Sequence, residues 1–135
     1  MIKISPYLTF NGNCREAMTF YSKCLGGEFS FQTVSETPIA EQCPEGMQQQ
    51  IMHSQLLFSE AALMATDMSQ SRAAEPGNDM AISLSFDNEN KLLESYSRLS
   101  NGGKIIEPLK KAFGNALFGV LKDRYGKVWM FHHQN

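Results

Sequence analysis

The sequence predicts an α+β protein made of two βαβββ modules in tandem, each with a mixed sheet. Three observations predict it. First, the chain echoes itself. The stretch from Phe10 to Gly27 returns without a gap as Phe86 to Gly103, 76 residues later. Each copy is an apolar strand end, a polar cap, an amphipathic stretch and a Gly-Gly stop, so each half holds one similar unit. Second, the apolar period switches from two to 3.6 and back within each half. Third, glycine, proline and short polar clusters fall between the periodic runs. One domain over 1–135 follows, made of module 1–76 and module 77–135.

Residues 3–11 read as a strand, with Ile4, Leu8 and Phe10 on one face. Pro6 lacks an N–H and confines this strand to an edge, or to a place where no ladder donor is needed. Asn13 is expected to cap a helix, with Glu16 as its capping-box partner. Cys14, Ala17, Met18, Tyr21, Cys24 and Leu25 form the apolar face of that helix, and Gly26-Gly27 ends it. Residues 28–36 alternate as a strand. Residues 37–50, with Pro38, Pro44 and Gly46, read as a long polar loop, a feature that in compact domains is often functional. Strands over 51–59 and 62–68 form a hairpin, and 69–78 reads as the linker between halves.

The second half repeats this order. A strand spans 79–87, and a helix spans 88–100 with Leu92, Leu93, Tyr96 and Leu99 inward. Residues 104–113 are a strand or an irregular edge, weakened by Pro108. A hairpin over 115–122 and 127–134 turns at Asp123-Arg-Tyr-Gly126.

Bulk properties exclude several function classes. Apolar content of 42% and charged content of 19% are those of a globular protein, and 135 residues suffice for a real core. A net charge of −2 lacks the basic footprint that nucleic acid demands. No apolar run approaches the roughly 20 residues needed to span a bilayer. The start, Met-Ile-Lys-Ile-Ser-Pro, has no signal-peptide core, which makes the cytoplasm the expected location. Cys14 and Cys24 would lie roughly 15 Å apart along one helix, too far to pair, and read as reduced core thiols. Cys43, before Pro44, is expected in a loop; the spacing of the three cysteines matches no zinc motif.

The doubled βαβββ order resembles the vicinal-oxygen-chelate superfamily of glyoxalase I, extradiol dioxygenases and bleomycin- and fosfomycin-resistance proteins. More narrowly, Pro6-Tyr-Leu-Thr-Phe-Asn-Gly-Asn13, Phe20-Tyr21 through Gly26-Gly27-Glu28, Met52-His53 and Asp123 through Gly126-Lys-Val-Trp129 resemble its PhnB-like branch. The resemblance covers essentially the whole chain. It implies that each module curls its sheet into a half-barrel, that a small-molecule ligand binds inside the resulting cup, and that the chain forms a homodimer. It does not imply one activity, because the superfamily hosts many chemistries. Members of the branch often carry a 3-demethylubiquinone methyltransferase label. The sequence argues against it: there is no G-x-G-x-x-G loop, and the Gly pairs end helices.

Superfamily enzymes chelate two substrate oxygens on a divalent metal held by His and Glu. By the resemblance, the ligand positions fall near Pro6, Ala65, Ala81 and Met130. None is a donor for a hard divalent ion, and a slip of one residue supplies no competent set. No metal and no other cofactor is therefore expected at these positions.

Candidate pocket residues follow from parity. His53 and Gln55 share a strand face, as do Tyr7 and Thr9, and Trp129 and Phe131. Near neutral pH His53 could bind ligand or act as acid or base; a hydrogen-bonded structural histidine is an equal reading. Asp67 shares parity with Ala65 and is the second acid/base candidate, although a strand-end role is favoured for it. His132 and His133 alternate and make no metal pair; both are expected at a solvated strand end. Three functions remain in order: a metal-independent small-molecule binding protein, an enzyme of the superfamily using His53 or Asp67 or a metal site not recognised in the sequence, and a non-catalytic dimeric module.

Overall fold

The computed structural model describes residues 1–68, 72–111 and 113–134, with Phe113 described by its backbone alone. Residues 69–71 of the expected linker lie outside the described residues. The chain divides into two units, Met1–Ala74 and Glu75–Asn135.

The first unit runs β1 (Tyr7–Thr9), α1 (Cys14–Leu25), β2 (Glu28–Thr33), β3 (Ile51–Leu57) and β4 (Ala62–Thr66). Its sheet has the order β1-β4-β3-β2, with β1 parallel to β4 and the other pairs antiparallel. β1 is shorter than expected and begins just after Pro6. The proline carbonyl still accepts from the Met64 N–H at 3.0 Å, so Pro6 enters the ladder only as an acceptor. The segment expected as a loop over 37–50 holds short 3-10 turns at Ala40–Gln42 and Glu45–Met47, after a first one at Val34–Glu36.

α1 packs on one face of this sheet. Cys14, Ala17, Met18 and Tyr21 are fully buried where α1 meets β3 and β4, as are Leu56 and Ala65 of those strands. Burying each large apolar side chain contributes about 1.5–3 kcal/mol before entropy is charged against it. The expected Asn13–Glu16 capping box does not form, and Asn13 makes no side-chain cap bond to α1. The helix start is held from across the fold instead, by Asp67.

The second unit runs β5 (Ile82–Phe86), α2 (Glu89–Ser100), β6 (Lys104–Lys111), β7 (Leu117–Lys122) and β8 (Val128–His133), with sheet order β5-β8-β7-β6. It repeats the topology of the first: β5 is parallel to β8, and the rest are antiparallel. Asn88 caps α2 by accepting from the Lys91 N–H at 3.0 Å. Pro108 sits in edge strand β6, where its missing N–H breaks no inner ladder, and the pairing register shifts around it. Leu92 and Leu99 of α2 are fully buried, whereas Leu93, expected inward, is 43% exposed.

Candidate functional site

Strand register decides which side chains share a face. In the first unit Ser54 opposes Ala65 and Leu56 opposes Leu63, all buried beneath α1. The alternate residues therefore line the face free of the helix. One row across that face is Ser30, Gln55, Met64 and Tyr7. In the next row Gln32 opposes His53 and Thr66 opposes Thr9. The structure thus brings Tyr7, Thr9, His53 and Gln55 onto one surface.

Tyr7 and His53 touch. The Tyr7 hydroxyl shares a hydrogen bond with His53 Nδ1 at 3.1 Å, and the ring centroids lie 5.8 Å apart. The two residues stand on β1 and β3, so the tyrosine side chain reaches across β4. Partial burial raises the Tyr7 hydroxyl pKa above its ordinary value. Cys14 adds to the rise, and a Thr66 hydrogen bond opposes it. Tyr7 is therefore a neutral phenol at neutral pH. Thr66 is itself fixed: its hydroxyl donates to the Met52 carbonyl at 2.6 Å and accepts from the Met68 N–H at 2.9 Å. Tyr7 stays 50% exposed and His53 is partly exposed, so the pair is accessible.

Three expected pocket residues lie elsewhere. Asp67 shares the parity of Ala65, and that parity faces α1. Its Oδ1 accepts from the Gly12 and Cys14 N–H groups at 2.9 Å each, and its Oδ2 accepts from the Ile51 N–H at 2.9 Å. These bonds take up most of the carboxylate's acceptor capacity and cap α1 in place of Asn13. A depression of about 210 Å³ opens beside it, lined by Asn11, Gly12, Met47, Gln50, Asp67 and Met68.

Trp129 and Phe131 point toward α2. Phe131 is fully buried, edge-on to Tyr96 at 5.3 Å and stacked on Phe86 at 5.8 Å. Trp129 is 1% exposed, and its Nε1–H donates to Asp123 Oδ2 at 2.8 Å. The other Asp123 oxygen accepts from the Tyr125 and Lys127 N–H groups, which locks the turn before β8. Trp129 and Phe131 share a face as expected, but it is the face that α2 covers, and alternation alone does not say which face a helix takes. His133 also departs from expectation: it is 5% exposed, and its Nδ1–H donates to the Phe86 carbonyl at 2.8 Å. His132 takes the helix-free face of the second unit, opposite Ser85 and Phe118.

Sequence reasoning missed Ser30 and Gln32. Their signal was available, because they alternate with Phe29 and Phe31 along β2. Phe31 lies on the helix side, beneath the Arg15 guanidinium at 4.2 Å.

The chelate chemistry of the resemblance needs imidazole or carboxylate donors at set strand positions. On the helix-free faces the neighbours are Tyr7 beside Met64 in the first unit and Ser83 beside Met130 in the second. Ala65 is fully buried under α1 and faces away. Phenol, hydroxyl and thioether groups are poor donors for hard divalent ions. Among the described residues no cluster of three or more His, Cys, Asp or Glu could hold a metal ion. The donor set does not fit the superfamily metal.

Comparison with known proteins agrees with the fold. The chain is similar to Protein YjdN of Escherichia coli K12, at 30% identity over 96% of this chain and 93% of that one. It is also similar to the crystal structure of PA1353 from Pseudomonas aeruginosa, with a TM-score of 0.87, 34% identity, and coverage of 99% of this chain and 98% of the other. A PhnB protein from Bacillus cereus, a proposed 3-demethylubiquinone-9 3-methyltransferase, shares the fold with a TM-score of 0.71 at 22% identity, covering 98% and 99% of the two chains. The family model described as Glyoxalase/Bleomycin resistance protein/Dioxygenase superfamily matches residues 3–131. With its two βαβββ units and this match over nearly its whole length, the chain belongs to the glyoxalase/bleomycin resistance protein/dioxygenase superfamily.

Proposed function

We propose that this protein binds a small molecule on the helix-free face of its first unit without using the superfamily metal. The Tyr7–His53 contact carries the reading. The Tyr7 hydroxyl meets the His53 ring nitrogen at 3.1 Å on an accessible surface, flanked by Thr9 and Gln55. The unsuitable donors at Tyr7, Met64, Ser83 and Met130 support a metal-free mode. A few convergent polar groups around an apolar patch are what small-molecule sites use. The test is a thermal-shift screen of a metabolite and antibiotic library in the presence of a chelator, with each hit recovered and identified by mass spectrometry. Recovery unchanged, with Tyr7→Phe and His53→Gln weakening binding at least tenfold, supports the reading. A chain that binds no library member contradicts it.

The same pair favours a second reading, a metal-free enzyme in which His53 acts as acid or base. Turnover of a bound ligand, abolished in His53→Ala, would establish it over the first. Asp67 is not proposed for this role, since its oxygens hold three backbone N–H groups. We also propose a cytoplasmic homodimer. Exposed Ile2, Ile4, Met80 and Ile106 support association, and light scattering at about twice 15.1 kDa would establish the dimer.

A further inference from the structure

We propose that the helix-free face of the first unit selects a neutral, planar ligand bearing a carboxamide-like donor–acceptor pair, and discriminates against anions. This rests on the reading of that face as the ligand site. The first unit has four cationic side chains, Lys3, Arg15, Lys23 and Arg72, against seven carboxylates. None of the four falls on the free face of the sheet: Arg15 and Lys23 are on α1, and Lys3 and Arg72 lie outside the strands. Arg15 is moreover turned over Phe31, on the helix side. Among the described residues, the only carboxylate on the free face is Glu28, at the far end of β2 opposite Leu57. Apart from His53, an anion bound there would find no group able to carry opposite charge, and it would lose hydration.

Besides His53 and Glu28, the polar groups on this face are neutral. Gln55 and Gln32 each offer an N–H donor and a carbonyl acceptor, and Tyr7, Thr9 and Ser30 offer hydroxyls that do both. A ligand presenting N–H and C=O side by side can pair with such groups without leaving a buried charge. Shape is set by the sheet. Four strands at about 4.8 Å per neighbour make a row about 14 Å wide, and successive rows on one face are about 7 Å apart. That footprint suits a flat compound of two fused rings. The tyrosine ring reaching across β4 toward His53 supplies a surface on which such a ring can stack.

The test uses the full chain and two probes of one shape, 2-naphthamide and 2-naphthoate. The readout is the His53 imidazole resonances in proton–nitrogen NMR, assigned by their loss in His53→Gln. The amide is expected to shift them at a concentration at least tenfold below that of the carboxylate. Gln55→Ala, with its fold checked by circular dichroism, should cut that preference at least fivefold. Binding of naphthoate as tight as or tighter than naphthamide overturns the selectivity while leaving the face as a ligand site. Failure of both probes to shift His53 up to their solubility overturns the site as well, and points to a face covered by a second copy of the chain.

Discussion

Replacing Asp67 tests whether this buried carboxylate holds the first unit together or serves ligand chemistry. Asp67 is 7% exposed and accepts three N–H groups at 2.9 Å, from Gly12, Cys14 and Ile51. It ties the end of β4 to the start of α1 and the start of β3. A hydrogen bond to a charged group contributes about 1.5–3 kcal/mol, and a buried N–H left unpaired costs about 1–3 kcal/mol. Local relaxation and water entry will recover part of this, so Asp67→Ala should cost about 4 kcal/mol, in the upper tail of single substitutions. Asp67→Asn keeps one oxygen for Gly12 and Cys14 but turns its amide N–H₂ toward the Ile51 N–H, and should cost about 2–3 kcal/mol. For a chain of this size each kcal/mol shifts Tm by about 3–4 °C, so the asparagine variant should melt about 6–12 °C lower. Urea denaturation followed by circular dichroism gives the free energies. An Asn variant within about 0.5 kcal/mol of the parent would refute the argument, and loss of ligand turnover at unchanged stability would return Asp67 to the acid/base role.

Three further outcomes are expected. Cys14 and Cys24 are buried while Cys43 is partly exposed, so a thiol reagent at pH 8 should label one cysteine in the native chain and three in denaturant. Burial, with a smaller push from Asp67 and against a Ser54 hydrogen bond, raises the Cys14 thiol to about 12 from an ordinary value of 9.0. The stability this contributes is full below pH 9.0 and is lost as the pH climbs through about 12, because the unfolded thiol ionises first; urea midpoints should fall across that window. Gly103→Ala would drive a Cβ into the Lys122 carbonyl oxygen and place it 3.0 Å from the Asp123 Cα, both backbone atoms. It should cost at least about 2 kcal/mol, read by the same denaturation, because the start of β6 must move away from β7. Elemental mass spectrometry after incubation with Ni, Zn, Mn or Fe(II) and gel filtration should find well under one ion per chain.

Much of the fold is legible in the sequence because its signals are local. The Phe10–Gly27 and Phe86–Gly103 echo carries the two strand–helix units, and period-two alternation carries the hairpins. What is not legible comes from contacts distant in sequence. Asn13 looks like a cap, but Asp67, more than 50 residues away, does the capping for Cys14. Parity groups Trp129 with Phe131 and Tyr7 with Thr9, yet α2 covers the first pair while the second lies on a free face. Which face a helix takes depends on the sheet's crossover, which alternation does not encode. Asp123 is legible as a turn residue, but its grip on the Trp129 indole is not. The Tyr7–His53 contact spans 46 positions and joins strands that are not neighbours in the sheet, so only the register brings it out.

The most direct test of the central claim is amide NMR mapping of the first ligand found, with excess chelator present throughout. The account predicts perturbations centred on Tyr7, Thr9, His53 and Gln55, unchanged when divalent metal is restored. Perturbations that appear only once metal is restored, or that centre away from these four residues, would contradict it.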